Sequence, residues 1–368
     1  MGCYLLVWIL YLRMAQIHLP PRNIFGVKVP LVPIHPKRIL KVTGVFISAL
    51  YSNIFGPPLE IAWIHIKNYF KNHELIFKDI DYGSLFPKTK LDVYAQQGSN
   101  HPVIIFIYGG AWSSGSKFLY APVALNLRKM GNVVVLPDYT LFPISNPNQM
   151  IHEIQSIVSW TVDNISQYGG DMNNIVLMGH SAGAHLITLS YMNYSIDKIS
   201  LSNPIPSLYK SITRPIEIHS ELHHVKAVVL IAGPYDISDH HGFESQRGVE
   251  ELSAMGRLFG HDHDSFHKWS PPRMLQSFST NPIHIDSIKL RSYLPRKWLL
   301  IHSHKDSVVP FSSSSKLYDS LERIGIPHLS LKTHKGDHAE LIYELFLGRG
   351  NQYDTLVTPF LSSHVHME

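Results

Sequence analysis

The chain has 368 residues, of which 45% are hydrophobic and 16% are charged, and its formal net charge is +4. This apolar content excludes an intrinsically disordered chain, and charges scattered without a run of one sign argue against nucleic-acid binding. The single cysteine, Cys3, excludes an intramolecular disulfide and a cysteine-based zinc site.

Residues 1–70 form an apolar leader in front of the main domain. Residues 1–10 are almost wholly apolar, but Arg13 and Pro20 end this stretch before the roughly 20 residues that a membrane-spanning helix needs. A second apolar stretch covers residues 42–55. We therefore expect the leader to associate with a membrane surface, and the alternative is an extension that packs on the main domain.

Residues 71–368 have the pattern of an α/β domain. Short β-branched runs alternate with helical periodicity, which is typical of a mostly parallel sheet flanked by crossover helices. Most of the runs are continuously apolar, as expected of strands that are buried on both faces. The predicted strands, in chain order, are residues 75–82, 91–95, 103–108, 133–136, 175–178, 227–231, 298–301 and 328–331.

Two segments between these strands are longer than ordinary connections. Residues 196–224 and 234–295 are rich in proline and histidine, and we expect them to form a cap over one end of the sheet, where the substrate is selected. Aromatic side chains there either line an apolar pocket or hold the cap together, and Tyr235 is predicted to contact the substrate. The aromatic residues are Tyr209, Tyr235, Phe243, Phe259, Phe266 and Trp269.

The strongest chemical signal is Gly179-His180-Ser181-Ala182-Gly183, which matches the pattern G-x-S-x-G. The residues before it predict a strand and those after it predict a helix, so the motif has the context of a nucleophile elbow. Such a turn needs small flanking residues and lifts the serine hydroxyl away from the sheet. Ser181 is therefore the candidate nucleophile.

A glycine turn directly follows the third predicted strand. Gly109, Gly110 and Ala111 stand where hydrolases with this elbow place amide donors for the oxyanion of the reaction. The amide of Ala182 completes the predicted oxyanion hole, since it lies at the positive end of the following helix. Trp112, which follows the turn, is predicted to contact the substrate.

A base and an orienting acid must follow the serine along the chain if this elbow works as it does in α/β-hydrolases. His338 follows the strand 328–331, and Asp306 follows the strand 298–301, as that order requires. Asp337 is a rival acid, but a side chain next to the base in sequence seldom points at its ring. The order predicts the α/β-hydrolase fold and an acyl-enzyme mechanism.

The 24 histidines raise the question of a metal site. They cluster at residues 261–264, 223–224 and 240–241, but none of these clusters has the spacing of a helical metal-binding motif. We interpret them as histidines of polar loops and expect neither a metal nor a cofactor.

Several sequence blocks resemble a known family. The blocks are Tyr-Gly-Gly-Ala-Trp at 108–112, Asp-Tyr at 138–139 with Phe-Pro at 142–143, Tyr-Gly-Gly-Asp at 168–171, residues 177–185, Gly-Pro-Tyr-Asp at 233–236 and Arg-Gly-Val-Glu at 247–250. Over roughly residues 75–345 the chain is similar to the isoprenylcysteine α-carbonyl methylesterases, and more loosely to arylformamidases and small carboxylesterases. The resemblance implies hydrolysis of the carboxyl methyl ester of a prenylated cysteine.

The resemblance also implies a location at the endoplasmic reticulum or another endomembrane, with the N-terminal region as anchor. The expected partners are a small-molecule or lipidated ester and a membrane. Three alternatives stay open: an arylformamidase that cleaves N-formylkynurenine, a general carboxylesterase, and a hydrolase-fold protein that binds a ligand without turnover. A cytoplasmic location fits the arylformamidase. The sequence leaves the oligomeric state open.

Overall fold

A computed structural model describes the following parts of the chain: residues 22–24, 27–29, 74–200, 221–250, 253–260, 262–280, 287–349 and 351–362. Two short strands of the leader, β1 (Arg22–Ile24) and β2 (Val27–Val29), pair in antiparallel fashion. The rest of the leader lies outside the described residues. In the described parts, no helix is both long enough and apolar enough to cross a bilayer.

Eight further strands form one central sheet. They are β3 (Ile76–Ile80), β4 (Leu91–Tyr94), β5 (His101–Ile107), β6 (Val133–Pro137), β7 (Gly170–His180), β8 (Val225–Ile231), β9 (Lys297–His302) and β10 (His328–Thr333). Their order across the sheet is β10-β9-β8-β7-β5-β6-β4-β3. β4 is antiparallel to β3 and β6, and the other neighbouring pairs are parallel.

The observed strands differ from the predicted ones mainly at their ends. β7 begins at Gly170, which pairs with His101, although the apolar run that predicted this strand begins only at Ile175. The polar residues between Gly170 and Ile175 join the strand because a β-ladder needs only backbone amide and carbonyl groups. The apolar run itself is buried, as expected of a strand covered on both faces.

Helices cover the sheet and connect its strands. They are α1 (Lys117–Lys129), α2 (Pro147–Asn164), α3 (Ala182–Ser200), α4 (Ile237–Arg247), α5 (Ala254–Phe259), α6 (His263–Lys268), α7 (Pro271–Thr280), α8 (Ser287–Ser292), α9 (Phe311–Arg323), α10 (Glu340–Leu347), α11 (Asn351–Leu356) and α12 (Thr358–Ser362). Helix α2 begins with a capping box in which Asn146 and Gln149 each bond the other's backbone amide, so its start is fixed locally.

Helices α4 to α8 occupy the predicted cap segment 234–295 between β8 and β9. Phe259, Phe266 and Trp269 are buried within it, so these aromatic side chains hold the segment together. The other predicted cap segment, 196–224, starts inside α3, which continues to Ser200. Residues 201–220 of that segment lie outside the described residues.

The parallel part of the sheet brings the candidate residues to one edge. β5, β7, β9 and β10 run in the same direction, so the loops that follow them leave the sheet on the same side. These loops contain the glycine turn, the serine motif, Asp306 and His338.

Candidate active site

Ser181 occupies the turn between β7 and α3. Its φ angle is 50°, in the left-handed region, where a non-glycine residue costs about 1–3 kcal/mol. The Ser181 amide donates to the carbonyl oxygen of Ile231 on β8, at 2.8 Å, which ties the turn to the neighbouring strand. The motif therefore has the strained geometry that its sequence predicts.

The glycines of the motif allow close packing around the turn. A Cβ atom at Gly183 would lie 2.2 Å from the carbonyl oxygen of Ile107, and one at Gly179 would lie 2.6 Å from Cδ1 of Ile187. Any larger residue at these two positions would push α3 away from the sheet. Both positions must therefore be glycine, because a side chain at Gly183 would clash with β5 and one at Gly179 would clash with α3.

His338 and Asp306 meet across the loops that follow β10 and β9. Nδ1 of His338 lies 2.8 Å from Oδ2 of Asp306. The Asp306 side chain is fully shielded from solvent, whereas the His338 side chain is 12% exposed. The structure therefore brings together the histidine and the aspartate that the sequence pairs by chain order.

A second histidine, His302 at the end of β9, also contacts the carboxylate of Asp306. Its Nε2 lies 3.1 Å from Oδ2 of Asp306 and 3.1 Å from the carbonyl oxygen of Val309. Both partners are acceptors, so Nε2 carries the proton, and Nδ1 accepts from the hydroxyl of Ser314 at 2.6 Å. His302 was not among the residues predicted for the site, because a histidine inside a buried strand has no sequence signature.

The charge of Asp306 is stabilised from several directions. Burial alone raises the pKa of this carboxyl, but hydrogen bonds from His302 and His338 outweigh it and hold the pKa well below its usual range. The amides of Val308 and Val309 donate to Oδ1, each at 2.8 Å. Asp306 is therefore an anion in the folded protein at neutral pH.

Asp337, the rival acid, has different partners. Its Oδ1 accepts from the amides of Ser307 and His338, both at 2.7 Å, and its Oδ2 accepts from the Ser307 hydroxyl at 2.7 Å. These bonds join the loop that carries Asp306 to the loop that carries His338. Asp337 thus sets the distance between the two loops, and its carboxylate bonds two backbone amides and the Ser307 hydroxyl rather than the ring of its neighbour.

His180, the variable residue of the serine motif, packs against His338. The two ring centroids are 4.9 Å apart, and Nε2 of His180 lies 3.3 Å from the backbone carbonyl oxygen of His338. Burial, with the nearby His338, lowers the pKa of His180 to about 3, so its ring is neutral. His180 therefore positions the histidine loop beside the serine turn, a role that the motif alone does not reveal.

The turn after β5 has an unusual backbone. Gly110, Ala111 and Trp112 have φ angles of 138°, 49° and 59°, three consecutive residues in the left-handed region. The carbonyl oxygen of Gly110 accepts from the amide of Ser114 at 3.0 Å and from its hydroxyl at 2.8 Å, which stabilises this conformation. Strain of this kind is concentrated at functional sites.

Gly109, one of the predicted oxyanion donors, lies close to both Tyr120 and Ser181. Burial raises the pKa of Tyr120 to about 12, and an interaction with the Gly109 backbone offsets part of this rise. A Cβ atom at Gly109 would lie 2.9 Å from Cβ of Ser181, so the glycine gives space to the candidate nucleophile. The predicted donors are the amides of Gly109, Gly110, Ala111 and Ala182.

Tyr108 stabilises the glycine turn at its first residue. Its hydroxyl donates to Oδ1 of Asp138 at 3.0 Å, and its ring stacks on Tyr120 and Tyr139. The same carboxylate oxygen accepts from the amide of Lys117 at 2.6 Å. These contacts brace a turn that has Tyr108 where lipases and esterases usually have the histidine of a His-Gly-Gly-Gly turn.

Glu153 stabilises the turn from the other side. Its side chain is buried on α2 and accepts from the amide and the hydroxyl of Thr140, at 2.6 and 2.8 Å. Farther along this loop, the amide of Phe142 donates to the carbonyl oxygen of Trp112 at 2.9 Å. The loop after β6 thus connects α2 to the glycine turn.

The two residues predicted to contact the substrate are both buried. Trp112 is 1% exposed and packs edge-on against His185 and Phe259, with ring centroids 5.4 and 4.8 Å apart. Tyr235 has no exposed surface, and its amide donates to the hydroxyl of Ser313 at 2.6 Å. Trp112 thus contacts the predicted cap segment through Phe259, and Tyr235, within that segment, contacts α9 through Ser313.

A cavity of about 240 Å³ lies between α7 and α9, away from Ser181. Its lining is largely charged and includes Asp236, Arg273, Lys316 and Arg323. Arg273 and Lys316 both bind the carboxylate of Asp236. This cavity lacks the apolar lining of an acyl or prenyl site.

His240 does not fit the interpretation of the clustered histidines as residues of polar loops. It is only 4% exposed, and its Nε2 lies 3.4 Å from Oε1 of Glu244, one turn along α4. The reason is that α4 packs against the domain and buries this face of the helix, which the polar sequence around His240 does not indicate.

Comparisons with known proteins identify the family and the fold of this chain. A family model described as BD-FAE matches residues 91–321. The isoprenylcysteine alpha-carbonyl methylesterase ICME of Arabidopsis thaliana is 25% identical over 322 residues, which cover 86% of this chain and 68% of that protein. The esterase LipC of Mycobacterium tuberculosis is 26% identical over 65% of this chain and 53% of its own length.

Solved structures show the same fold at low sequence identity. An inhibited esterase B from Lactobacillus rhamnosis superposes with a TM-score of 0.60 at 18% identity, covering 89% of this chain and 95% of that one. An esterase of Pyrobaculum calidifontis gives a TM-score of 0.59 at 18% identity, covering 84% and 91%. The predicted fold and the predicted resemblance are confirmed. The chain belongs to the BD-FAE family and is a carboxylesterase-type hydrolase with the α/β-hydrolase fold.

Proposed function

We propose that this hydrolase is a serine esterase in which Ser181 is the nucleophile, His338 the base and Asp306 the orienting acid. The observation that carries the proposal is the 2.8 Å contact between Nδ1 of His338 and Oδ2 of Asp306, on loops beside the strained serine turn. The contact leaves Nε2 of His338 to exchange a proton with the serine, as a catalytic triad requires.

The reaction then has two stages. Ser181 attacks the ester carbonyl carbon while His338 takes the hydroxyl proton, and the amides of Gly110, Ala111 and Ala182 stabilise the oxyanion. His338 returns the proton to the leaving alcohol, and the acyl group stays on the serine. A water molecule, deprotonated by the same histidine, releases the carboxylic acid and restores the serine hydroxyl.

The proposed substrate is the carboxyl methyl ester of a prenylated cysteine, so that methanol is the leaving alcohol. The named function of the plant relative supports this choice, since the match extends over most of the chain. The apolar leader, residues 1–70, supports a membrane-associated protein whose substrate has its prenyl group in the bilayer. We place the protein at the endoplasmic reticulum or another endomembrane, with a cytoplasmic esterase as the alternative.

Exposed apolar side chains at the active edge of the sheet also support membrane association. Ile144, Leu119 and Val308 are 72%, 51% and 38% exposed. They follow β6, β5 and β9, so they belong to the same edge as Ser181. Apolar surface around the site would contact the interface in which a prenylated substrate lies.

A matched pair of substrates tests the proposal. We expect the full-length protein to hydrolyse S-farnesylcysteine methyl ester with a kcat/KM roughly 100-fold or more above that for S-methylcysteine methyl ester. Burial of only four methylene groups at about 0.8 kcal/mol each would give such a ratio. Equal rates on the two esters would contradict the prenyl specificity and leave a general carboxylesterase.

N-formylkynurenine, as a third substrate, distinguishes the proposed methylesterase from an arylformamidase. Hydrolysis of this amide without hydrolysis of either methyl ester would identify an arylformamidase and overturn the proposed substrate. The serine mechanism is tested independently, because an active-site phosphonate labels the nucleophile whichever acyl group is natural.

A further inference from the structure

We propose that Glu221, His223 and His224 form a zinc-binding site on the opposite edge of the sheet from Ser181. Oε2 of Glu221 lies 3.5 Å from Nε2 of His223 and 3.2 Å from Nε2 of His224. One ligand atom from each of the three residues lies within 4.8 Å of the other two. Two imidazoles and one carboxylate are a typical donor set for Zn²⁺.

The spacing of these atoms fits a shared metal ion better than a pair of hydrogen bonds. A charge-assisted hydrogen bond between nitrogen and a carboxylate oxygen is shorter, at about 2.7–2.9 Å. Ligands at about 2.0–2.1 Å from a tetrahedral zinc ion are separated from each other by about 3.3 Å. The two separations in the structure, 3.2 and 3.5 Å, lie on either side of that value.

The local backbone explains why the ligands converge. Residues Leu222–His224 form a single 3₁₀ turn, in which the amide of His224 donates to the carbonyl oxygen of Glu221 at 3.0 Å. Side chains three residues apart eclipse each other in this type of helix, so Glu221 and His224 face the same way. The ring of His223 lies beside that of His224, with centroids 4.3 Å apart.

The turn is fixed to two helices, so the ligands are held in place before a metal binds. Leu222 is buried, and its carbonyl oxygen accepts from the hydroxyl of Tyr191 on α3 at 3.4 Å. The amide of Glu221 donates to the hydroxyl of Ser159 on α2, also at 3.4 Å. A bound ion would strengthen the junction of α2, α3 and β8.

The ligands remain accessible to solvent. The side chains of His223, His224 and Glu221 are 59%, 26% and 29% exposed, which allows a metal to enter and leaves room for a water molecule as the fourth ligand. The turn precedes Val225, the first residue of β8, whereas the Ser181 amide bonds Ile231 at its other end. At about 3.3 Å per residue the two sites are about 20 Å apart, so the zinc would take no part in chemistry at Ser181.

The test is a titration of the tag-free, full-length protein with Zn²⁺, followed by calorimetry and by thermal unfolding. We expect one tight zinc per chain, a higher melting temperature with zinc, and no effect of Mg²⁺, which prefers oxygen ligands. The double substitution His223→Ala/His224→Ala should weaken binding at least tenfold and remove the shift. Glu221→Gln, which keeps the shape of the side chain, should also weaken binding.

The matched control is His263→Ala/His267→Ala, which removes two other histidines from a short surface helix, α6. This variant should bind zinc like the original protein. Loss of binding in the control, equal binding in the His223 and His224 variant, or no tight zinc in the original protein would overturn the proposal. Ester hydrolysis should be unchanged by zinc or by His223→Ala/His224→Ala, which keeps this test separate from that of the serine mechanism.

Discussion

Nε2 of His302 lies 3.1 Å from Oδ2 of Asp306, and both side chains are completely shielded from solvent. The same carboxylate oxygen bonds His338, so Asp306 is held between two histidines. The amides of Val308 and Val309 hold Oδ1 and the two histidines hold Oδ2, so both oxygens of this carboxylate are fixed. His302 is therefore a positioning residue for the proposed triad.

His302→Leu should lower kcat by roughly 10- to 100-fold. A hydrogen bond to a charged group is worth about 1.5–3 kcal/mol, and each 1.36 kcal/mol corresponds to a factor of ten in rate. His302→Gln retains a donor and should recover part of the loss. Steady-state kinetics with an activated ester, together with melting temperatures, separate positioning from general instability.

The neighbouring histidine provides the control for this substitution. His304 is exposed and lies against Phe311, with ring centroids 3.9 Å apart. His304→Gln should leave kcat within about twofold, since surface substitutions usually change stability by less than 0.5 kcal/mol. If His302→Leu and His302→Gln lose activity only in proportion to their lower melting temperatures, the positioning role is wrong.

Asp306→Asn and Asp337→Asn distinguish the two acids. Asp306→Asn removes the anion beside the His338 ring and should lower kcat by roughly 10⁴-fold, the size of effect expected when a triad aspartate is replaced. Asp337→Asn weakens only the connection between two loops and should lower kcat by about tenfold. Single-turnover rates of both variants check this order, and the reverse order would reassign the orienting acid to Asp337.

Tyr108→Phe tests the bracing of the glycine turn. The substitution keeps the stacked ring but removes the bond to Asp138, so we expect kcat/KM to fall about tenfold and the free energy of unfolding to fall by about 1–2 kcal/mol. Kinetics and urea unfolding measure the two effects. Tyr168→Phe, at a half-buried tyrosine that packs on Phe77 at the far end of β5, is the control and should change neither quantity.

The sheet and the strained turn at Ser181 could be predicted because their signals are local. Continuous apolar runs mark the parallel strands, and Ser181 lies in a motif whose glycines are required by contacts within one strand–turn–helix unit. His338 and Asp306 could be placed by chain order alone. Such features depend on the neighbouring sequence and on the order of the strands along the chain, and both can be inferred from a sequence pattern.

The supporting residues could not be predicted because they depend on contacts between distant segments. His302, His180 and Asp138 acquire their roles only when separate loops meet at the edge of the sheet. The role of Gly109 as an oxyanion donor stays a prediction, and its place beside Tyr120 of α1 likewise depends on a contact between distant segments. The expected substrate contacts of Trp112 and Tyr235 stay predictions, because both side chains are buried.

Two buried histidines should make the protein sensitive to acid. Burial lowers the pKa of both His180 and His185 to about 3 from the model-peptide value of 6.5. Between these values the unfolded chain binds more protons, so the free energy of unfolding falls as the pH falls, by about 1.4 kcal/mol per pH unit for each histidine. Urea unfolding at several pH values measures this slope.

His185→Gln isolates one of the two contributions. Glutamine can still donate to the carbonyl oxygen of Trp269, which His185 Nε2 contacts at 2.8 Å, but it does not titrate. The slope between pH 6 and pH 4 should therefore decrease by about 1.4 kcal/mol per pH unit relative to the original protein. Other groups contribute equally to the slope of both proteins, so their contributions cancel in the difference. One of them is Asp197, whose pKa is raised by burial to about 6. An unchanged slope would contradict the assignment.

The central claim is that Ser181 is the nucleophile, and the most direct measurement is intact-protein mass spectrometry after treatment with a fluorophosphonate. We expect one adduct per chain, located on Ser181 in the digested protein, with loss of ester hydrolysis in step with labelling. The folded Ser181→Ala protein should show neither labelling nor hydrolysis above the rate with buffer alone. An adduct on another residue, or a Ser181→Ala protein that still hydrolyses an activated ester, would contradict the account.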